Sequence, residues 1–287
     1  MPEGAPPPAV DYLVIGHVCL DETPAGPRLG GTAAYAALAA RGQGCRVAVV
    51  TSAAPTLELA AHLPGIALQR VAAATTTRYR NEYYAGGRRQ TLCARAAPLT
   101  LADLPPAWRQ AAIVHLAPVA QEIAAEEFVP ALRRTARFLG ATPQGWLRGW
   151  GTDGVVVPQP CAELPRHLAP LDAVVVSEED LAAEPGCAAR LAAAGPLVAL
   201  TRGAAGVRLF QRDRVIDLPA CPARVRDPTG AGDVFAAVWF IQLAAGVEAT
   251  AAARYAASAA ACAIEHEGLT GVPTAREIEE RLAQWGG

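Results

Sequence analysis

The chain has 287 residues, a formal net charge of −2 and 52% hydrophobic content, enough to bury a large core as one α/β domain or as a domain with a small appendage. All 25 basic residues are arginine, which excludes a Walker A loop, Schiff-base chemistry and the phosphate-pairing lysine of protein kinases. The charge balance gives no footing to nucleic acid, no apolar run reaches membrane-spanning length, and seven scattered cysteines without Cys-x-x-Cys spacing suit neither a disulfide framework nor a zinc site. The amino-terminal stretch carries no basic or apolar signal region, so the expected location is the cytoplasm.

Residues 11–16, Asp-Tyr-Leu-Val-Ile-Gly, are a short apolar run closed by glycine, the pattern of a strand buried on both faces. Asp21 follows five residues after Gly16, beyond the strand's carboxyl end, where a carboxylate can accept hydrogen bonds from hydroxyls. Gly30-Gly31 opens an alanine-rich helix running to about Arg41, and a glycine pair at a helix start lets backbone approach a ligand. Residues 45–51 predict a second buried strand and residues 57–63 a short helix. Residues 75–84 change character: polar and aromatic side chains alternate with period two, residues 85–87 turn the chain, and residues 88–93 return it. A hairpin that polar reads as a small sheet covering something, with Arg78, Asn81 and Glu82 as candidates to reach beneath it.

Residues 112–116 and 137–141 predict further strands, separated by a helix with apolar Ile123, Phe128, Val129 and Leu132; strands alternating with helices predict a parallel, doubly wound sheet. Gln144, Trp146, Arg148 and Trp150 come next, either lining the cleft or packing a loop. The strand at 173–176 runs into Ser177-Glu178-Glu179-Asp180. Carboxylates at a strand's carboxyl end are placed to hold a hydrated Mg²⁺, with Asp180 the candidate, although a capped helix start explains the same residues. The strand at 197–200 leads into Thr201-Arg202-Gly203-Ala204-Ala205-Gly206, whose two glycines suggest a turn against which a nucleotide can lie, with Arg202 adding charge near phosphate.

The most informative stretch is Asp227-Pro228-Thr229-Gly230-Ala231-Gly232-Asp233. Thr229 reads as the cap of a long apolar helix, so Gly230, Ala231 and Gly232 present backbone N–H groups at a positive helix end, a cradle for an anionic oxygen. Asp233 beside such a cradle is either ordinary dipole complementation or a base that takes a proton from an attacking hydroxyl. Helices at 231–245, 248–264 and 276–285 complete the chain. No Gly-x-Gly-x-x-Gly occurs, Phe235 standing at the third glycine position, which sets aside a dinucleotide-binding dehydrogenase.

This segment, with Asp21, Gly30 and Gly31 upstream, resembles the signature of the ribokinase (PfkB-type) family of carbohydrate kinases. The resemblance covers essentially the whole chain and implies an α/β, ribokinase-like fold: a doubly wound, mostly parallel sheet flanked by helices, forming a single domain over residues 1–287 with a small β lid from segments at about 17–29 and 75–95. It implies a kinase that uses ATP and Mg²⁺ to phosphorylate a hydroxyl of a small polyol such as a sugar, inositol or nucleoside, with Asp233 as general base. Asp21, Gly30, Gly31, Tyr35, Arg78 and Asn81 would face the polyol, and Ser177, Thr201, Arg202, Gly203, Gly206, Glu267 and Gly268 the nucleotide. Asp227 and Thr229 would be candidates for a monovalent cation such as K⁺, and the lid for a homodimer contact. Tyr35, Cys19, Ser177 and Asp180 depart from the family pattern, which keeps open a second class, a binding or regulatory protein of this fold without turnover.

Overall fold

The computed structural model describes residues 9–84, 87–211 and 214–286. Nine strands form the main sheet in the order β15 (Arg214–Leu218), β14 (Val207–Gln211), β13 (Leu197–Thr201), β12 (Ala173–Ser177), β9 (Phe138–Ala141), β8 (Ile113–Leu116), β1 (Tyr12–Ile15), β4 (Val47–Ala53) and β5 (Ala67–Ala72). The seven strands from β13 to β5 pair in parallel, and β14 and β15 close one edge as an antiparallel meander. Strand order reverses at β1, which takes β4 on one side and β8 on the other. At such a reversal the connections from adjacent strands run to opposite sides, which makes the carboxyl ends of β1 and β8 the expected place of a crevice.

Buried strands read as unbroken apolar runs because both sheet faces are covered. Tyr12 and Val14 of β1 meet the layer that holds α1 (Thr32–Gly42), α2 (Leu59–His62), α6 (Ala231–Ala244), α7 (Ala249–Ile264) and α8 (Ala275–Gly286). Leu13 and Ile15 point the other way, into the layer of α3 (Ala125–Arg133), α4 (Leu164–Leu168) and α5 (Cys187–Ala194). Helix α6 is the central member. Residues 234–240 of it are all buried, as a helix that is apolar all round must be. It sits tight on the sheet because Gly140 of β9 has no side chain: a Cβ there would lie 2.7 to 2.8 Å from the Phe240 ring. His115, beside the same ring, is a satisfied core histidine bonded to Tyr12 and Thr142, with burial pushing its pKa down to about 3.

A second sheet, β3 (Gly26–Gly30), β2 (Cys19–Thr23), β6 (Thr77–Tyr84) and β7 (Gly87–Ala94), stands over the crevice. Its register sorts side chains by face: Cys19, Asp21, Thr77 and Tyr79 share one, Leu20, Glu22, Arg78 and Arg80 the other. The predicted turn at residues 85 and 86 lies outside the described residues. A short pair, β10 (Arg148–Trp150) with β11 (Val156–Pro158), touches the lid through a hydrogen bond from Leu92 N–H to the Gly154 carbonyl. Strands β5, β10, β11 and β15 were not legible in the apolar pattern, because they are edges or small ribbons with one or both faces half-exposed. Among the described residues no helix is long and apolar enough to cross a membrane.

Candidate active site

The floor of the crevice is the start of α6. Gly230, not Thr229, is its N-cap, in a left-handed conformation (φ 80°) and without a side-chain cap. Thr229 instead donates its N–H to the Asp227 carboxylate, 3.0 Å, so the hydroxyl expected to cap the helix is replaced by an Asx-type turn one step earlier. The two glycines of the turn have separate tasks. A Cβ on Gly230 would lie 2.3 to 2.5 Å from the Tyr35 ring, whereas a Cβ on Gly232 would meet nothing within 4 Å. Gly230 lets the turn pack on α1, and Gly232 leaves its face open to an approaching group. The expected cradle is narrower than three N–H groups, since Ala231 N–H is directed at the Pro228 carbonyl, 3.3 Å. Gly232, in the first turn, has no acceptor behind it in the helix.

Asp233 faces this opening. Its Oδ1 accepts from the Thr32 hydroxyl at 2.8 Å, and Gln144 Nε2 donates to the same hydroxyl at 2.5 Å, so three elements fix the carboxylate's position. Burial pushes its pKa up to about 7; the Thr32 bond and Arg148 oppose the rise, and the carboxylates of Asp180 and Asp21 reinforce it. A group poised near neutrality is suited to take a proton and give it up again.

The other candidates divide between this group and its surroundings. Asp21 lies on the inward face of the lid, its Oδ2 filling the space above Gly30, and Asn81 Nδ2 approaches its Oδ1 at 3.4 Å while Gln90 donates to the Asn81 carbonyl at 2.9 Å. Gly31 caps α1 at φ 84°, and a Cβ there would be 3.0 Å from Cys19 Sγ and the His17 carbonyl, so no other residue fits without displacing β2. Two expectations change. Tyr35 is only 1% exposed and forms the floor under Gly230 rather than a wall open to a polyol. Arg78 lies on the outward lid face with Arg80, both paired with Glu22, because β2 and β6 are in register with Leu20 opposite Arg78.

Ser177 and Thr201 end adjacent strands and are register partners. Arg202 is turned from the crevice, its guanidinium 2.8 Å from Asp217 of β15 and bonded to the Ala205 carbonyl. Gly203 and Gly206 both have positive φ; Gly206 is obligatory because a Cβ would fall 2.1 Å from the Leu218 carbonyl. Asp227 is held from three sides, by Arg28 Nη2 at 2.8 Å, Gly268 N–H at 3.0 Å and Thr229 N–H. Burial works against its charge, but these donors hold its pKa below the ordinary value. The guanidinium of Arg28, laid across Gly268, is thus itself a cation beside Asp227, one of the two residues expected to serve a monovalent cation. Glu267 pairs with Arg226 at 3.5 Å on the surface.

Both carboxylate oxygens of Asp180 are engaged by protein groups. Its Oδ2 accepts from the Ser177 hydroxyl at 2.7 Å and its Oδ1 from Arg148 Nη2 at 3.0 Å. Among the described residues no group of three His, Cys, Asp or Glu could hold a metal ion. A magnesium ion that arrives bound to phosphate oxygens needs no such cage. Two residues not singled out from sequence hold the crevice walls together. Glu122, 1% exposed, accepts from the backbone N–H groups of His17, Val119 and Ala120, tying the loop after β1 to the loop after β8. His17 donates from Nε2 to the Ala97 carbonyl and accepts from Thr77 at Nδ1, and burial lowers its pKa. Only their burial distinguishes them, and no spacing in the sequence announces it.

The sheet order, the lid and the α6 turn together define a ribokinase-like α/β fold. Residues 155–275 match the model of the pfkB family carbohydrate kinases. Ribokinase of Bacillus subtilis (strain 168) is 38% identical over 87 residues, and the chain spans 29% of that relative's length and 29% of its own. Among solved structures, a pyrophosphate-dependent myo-inositol-1 kinase converted by mutation into a myo-inositol-3 kinase superposes with a TM-score of 0.80 at 20% identity, over 95% of this chain and 98% of the other. Arabidopsis thaliana ribokinase complexed with ribose and ATP superposes at 0.74 and 19% identity, over 96% and 99%.

Proposed function

We propose that this chain is a phosphotransferase that moves the terminal phosphoryl group of ATP to a hydroxyl of a small polyol, with Asp233 as general base. The observation that carries the reading is a carboxyl held near neutral pKa by burial, fixed by Thr32 and Gln144, at a helix start left open by Gly232. The acceptor hydroxyl would pass its proton to Asp233 as its oxygen attacks phosphorus, while the helix start stabilises charge on the group in transfer. The polar inward lid face, with Asp21, Asn81 and Gln90, supports a neutral, hydroxyl-rich acceptor and would keep water from competing. Transfer assayed over a panel of sugars, inositols and nucleosides, with ATP and pyrophosphate as alternative donors, tests the reading. Absence of transfer across the panel, with donor still bound, would favour the second reading, a binding protein of this fold, to which the departures from the family pattern at Ser177 and Asp180 lend support.

Asp21→Ala should raise the polyol KM about tenfold or more with donor affinity unchanged, since a charge-assisted hydrogen bond is worth roughly 1.5 to 3 kcal/mol. An unaltered KM in a less stable protein would make Asp21 a support of Gly30 only. Because Arg28 already neutralises Asp227, rates in potassium chloride and choline chloride at equal ionic strength should agree. A rate that collapses in choline would mean that a monovalent cation still binds beside that pair.

A further inference from the structure

We infer that Arg148 is a catalytic residue for the proposed transfer, the guanidinium that neutralises the phosphoryl group as it moves, and that Asp180 is its positioning residue. This rests on the phosphotransferase reading above. A chain without lysine must meet the charge of a phosphate donor with arginine or backbone. Most arginines near the crevice are committed elsewhere: Arg28 to Asp227, Arg202 to Asp217, Arg78 and Arg80 to Glu22 on the outer lid face, Arg226 to Glu267.

Arg148 is placed differently. It begins β10, just after the turn that carries Gln144, and its backbone carbonyl accepts from Gln121 Nε2 at 2.6 Å, which fixes the root of the side chain. The guanidinium reaches the carboxyl end of β12 and meets Asp180, both side chains being nearly enclosed at 14% and 11% exposure. Burial opposes its charge, and Asp180 is the chief group that restores it. Asp180 in turn is locked by Ser177 through both side chain and backbone, so the pair is rigid. Only Nη2 is used by the carboxylate, and none of the remaining nitrogens is a buried atom left without a partner. A guanidinium has five donors, and one used leaves enough for the fork geometry that suits phosphate oxygens. Among the groups that act most strongly on Asp233, Arg148 is the cation. The same guanidinium therefore sits within electrostatic reach of the base and beside the strand end where a donor would lie.

In the step itself the acceptor O–H proton goes to the Asp233 carboxylate and the acceptor oxygen forms a bond to the terminal phosphorus. The bond from that phosphorus to the bridging oxygen breaks, its electron pair staying on the leaving group. Arg148 donates to the non-bridging oxygens throughout and is chemically unchanged.

The test uses the full chain and Arg148→Gln, Arg148→Lys and Asp180→Asn, with thermal melts to confirm folding and inorganic tripolyphosphate as a binding probe. Arg148→Gln should lose about 10² to 10³ in kcat, the usual effect of removing one preorganised donor. It should also bind tripolyphosphate more weakly and leave the polyol KM unchanged. Its residual activity should need higher pH than wild type, because Asp233 has lost its neighbouring cation; a merely structural role would not move that limb. Arg148→Lys should restore part of the binding and little of the rate, and Asp180→Asn should lie between. A folded Arg148→Gln protein with wild-type kcat, or with an unshifted pH limb, overturns the proposal. If the wild type itself neither transfers phosphate nor binds tripolyphosphate, the phosphotransferase reading falls and Arg148's role falls with it.

Discussion

Asp233→Asn is expected to cut kcat by about 10² to 10⁴-fold, the range of general-base assistance, while making the protein more stable in mildly alkaline solution. The stability gain follows from the direction in which folding moves the carboxyl's pKa. Burial raises it from 3.8 to about 7, so between those pH values the folded state holds a proton that the unfolded chain has released. Stability from that proton is fully present below about pH 4 and lost as pH rises through 7; above 7 the ionised carboxylate is a cost to the fold. Asparagine removes the cost and can still accept from Thr32 through its carbonyl. Melts at pH 8 should show stabilisation on the order of 1 to 4 kcal/mol, since each tenfold change in proton affinity on folding corresponds to about 1.4 kcal/mol, and melts at pH 4 should show none. The raised pKa also puts the acid limb of wild-type kcat near pH 7. A variant with near-wild-type turnover would reduce Asp233 to dipole complementation and sink the mechanism.

Gly230→Ala is expected to be the most damaging conservative change in the site. Its backbone is left-handed, which costs an alanine roughly 1 to 2 kcal/mol. Its Cβ would also clash with the Tyr35 ring, 2.3 to 2.5 Å from three ring carbons. Relief requires α1 and the start of α6 to move apart, and overpacking adds typically about 1 to 3 kcal/mol. Loss of roughly 2 to 5 kcal/mol in stability should follow, together with a fall in kcat of about 10²-fold or more in the protein that still folds, since a displacement of about 1 Å has that effect. Tyr35→Ala destabilises by itself through a cavity, but in combination the two changes should be less than additive, because the alanine gains room. Gly232→Ala is the control. With open space around its Cβ it should fold normally and lose rate only. Additive effects of Gly230→Ala and Tyr35→Ala would show that the ring is not what the glycine accommodates.

Much of this was legible in the sequence. The parallel sheet follows from apolar runs spaced by helices, the second sheet from the period-two stretch that ends at Tyr84, and the proposed base from Asp233 after Gly-Ala-Gly. What escaped notice is set by three-dimensional pairing. Arg78 looked inward because alternation gives two faces without saying which is which; only the register with β2 sends it outward with Glu22. Asp180 could be placed at a strand end suited to a hydrated Mg²⁺, but its partner Arg148 could not be foreseen, being 32 residues away and on a separate ribbon. Thr229 looked like a cap because the residue type is right, yet the turn is closed by Asp227 and a left-handed glycine. Resemblance pointed to Asp21, Gly30 and Gly31 as the side proposed for the polyol, and it could not foresee that Tyr35 supports the helix turn from below.

The Arg28 to Asp227 pair joins the lid strand β3 to the turn that opens α6, and the arginine is 38% exposed. The Arg148 to Asp180 pair lies in the same crevice but is nearly enclosed. Added salt screens the first more than the second, because the arginine of the first is far more exposed than that of the second. Ionic strength is thus a selective lever on this molecule: it loosens the tether between lid and helix turn while leaving the enclosed pair intact. A neutral acceptor has no charge of its own to be screened, so any change with salt in how tightly it is enclosed would report on that tether.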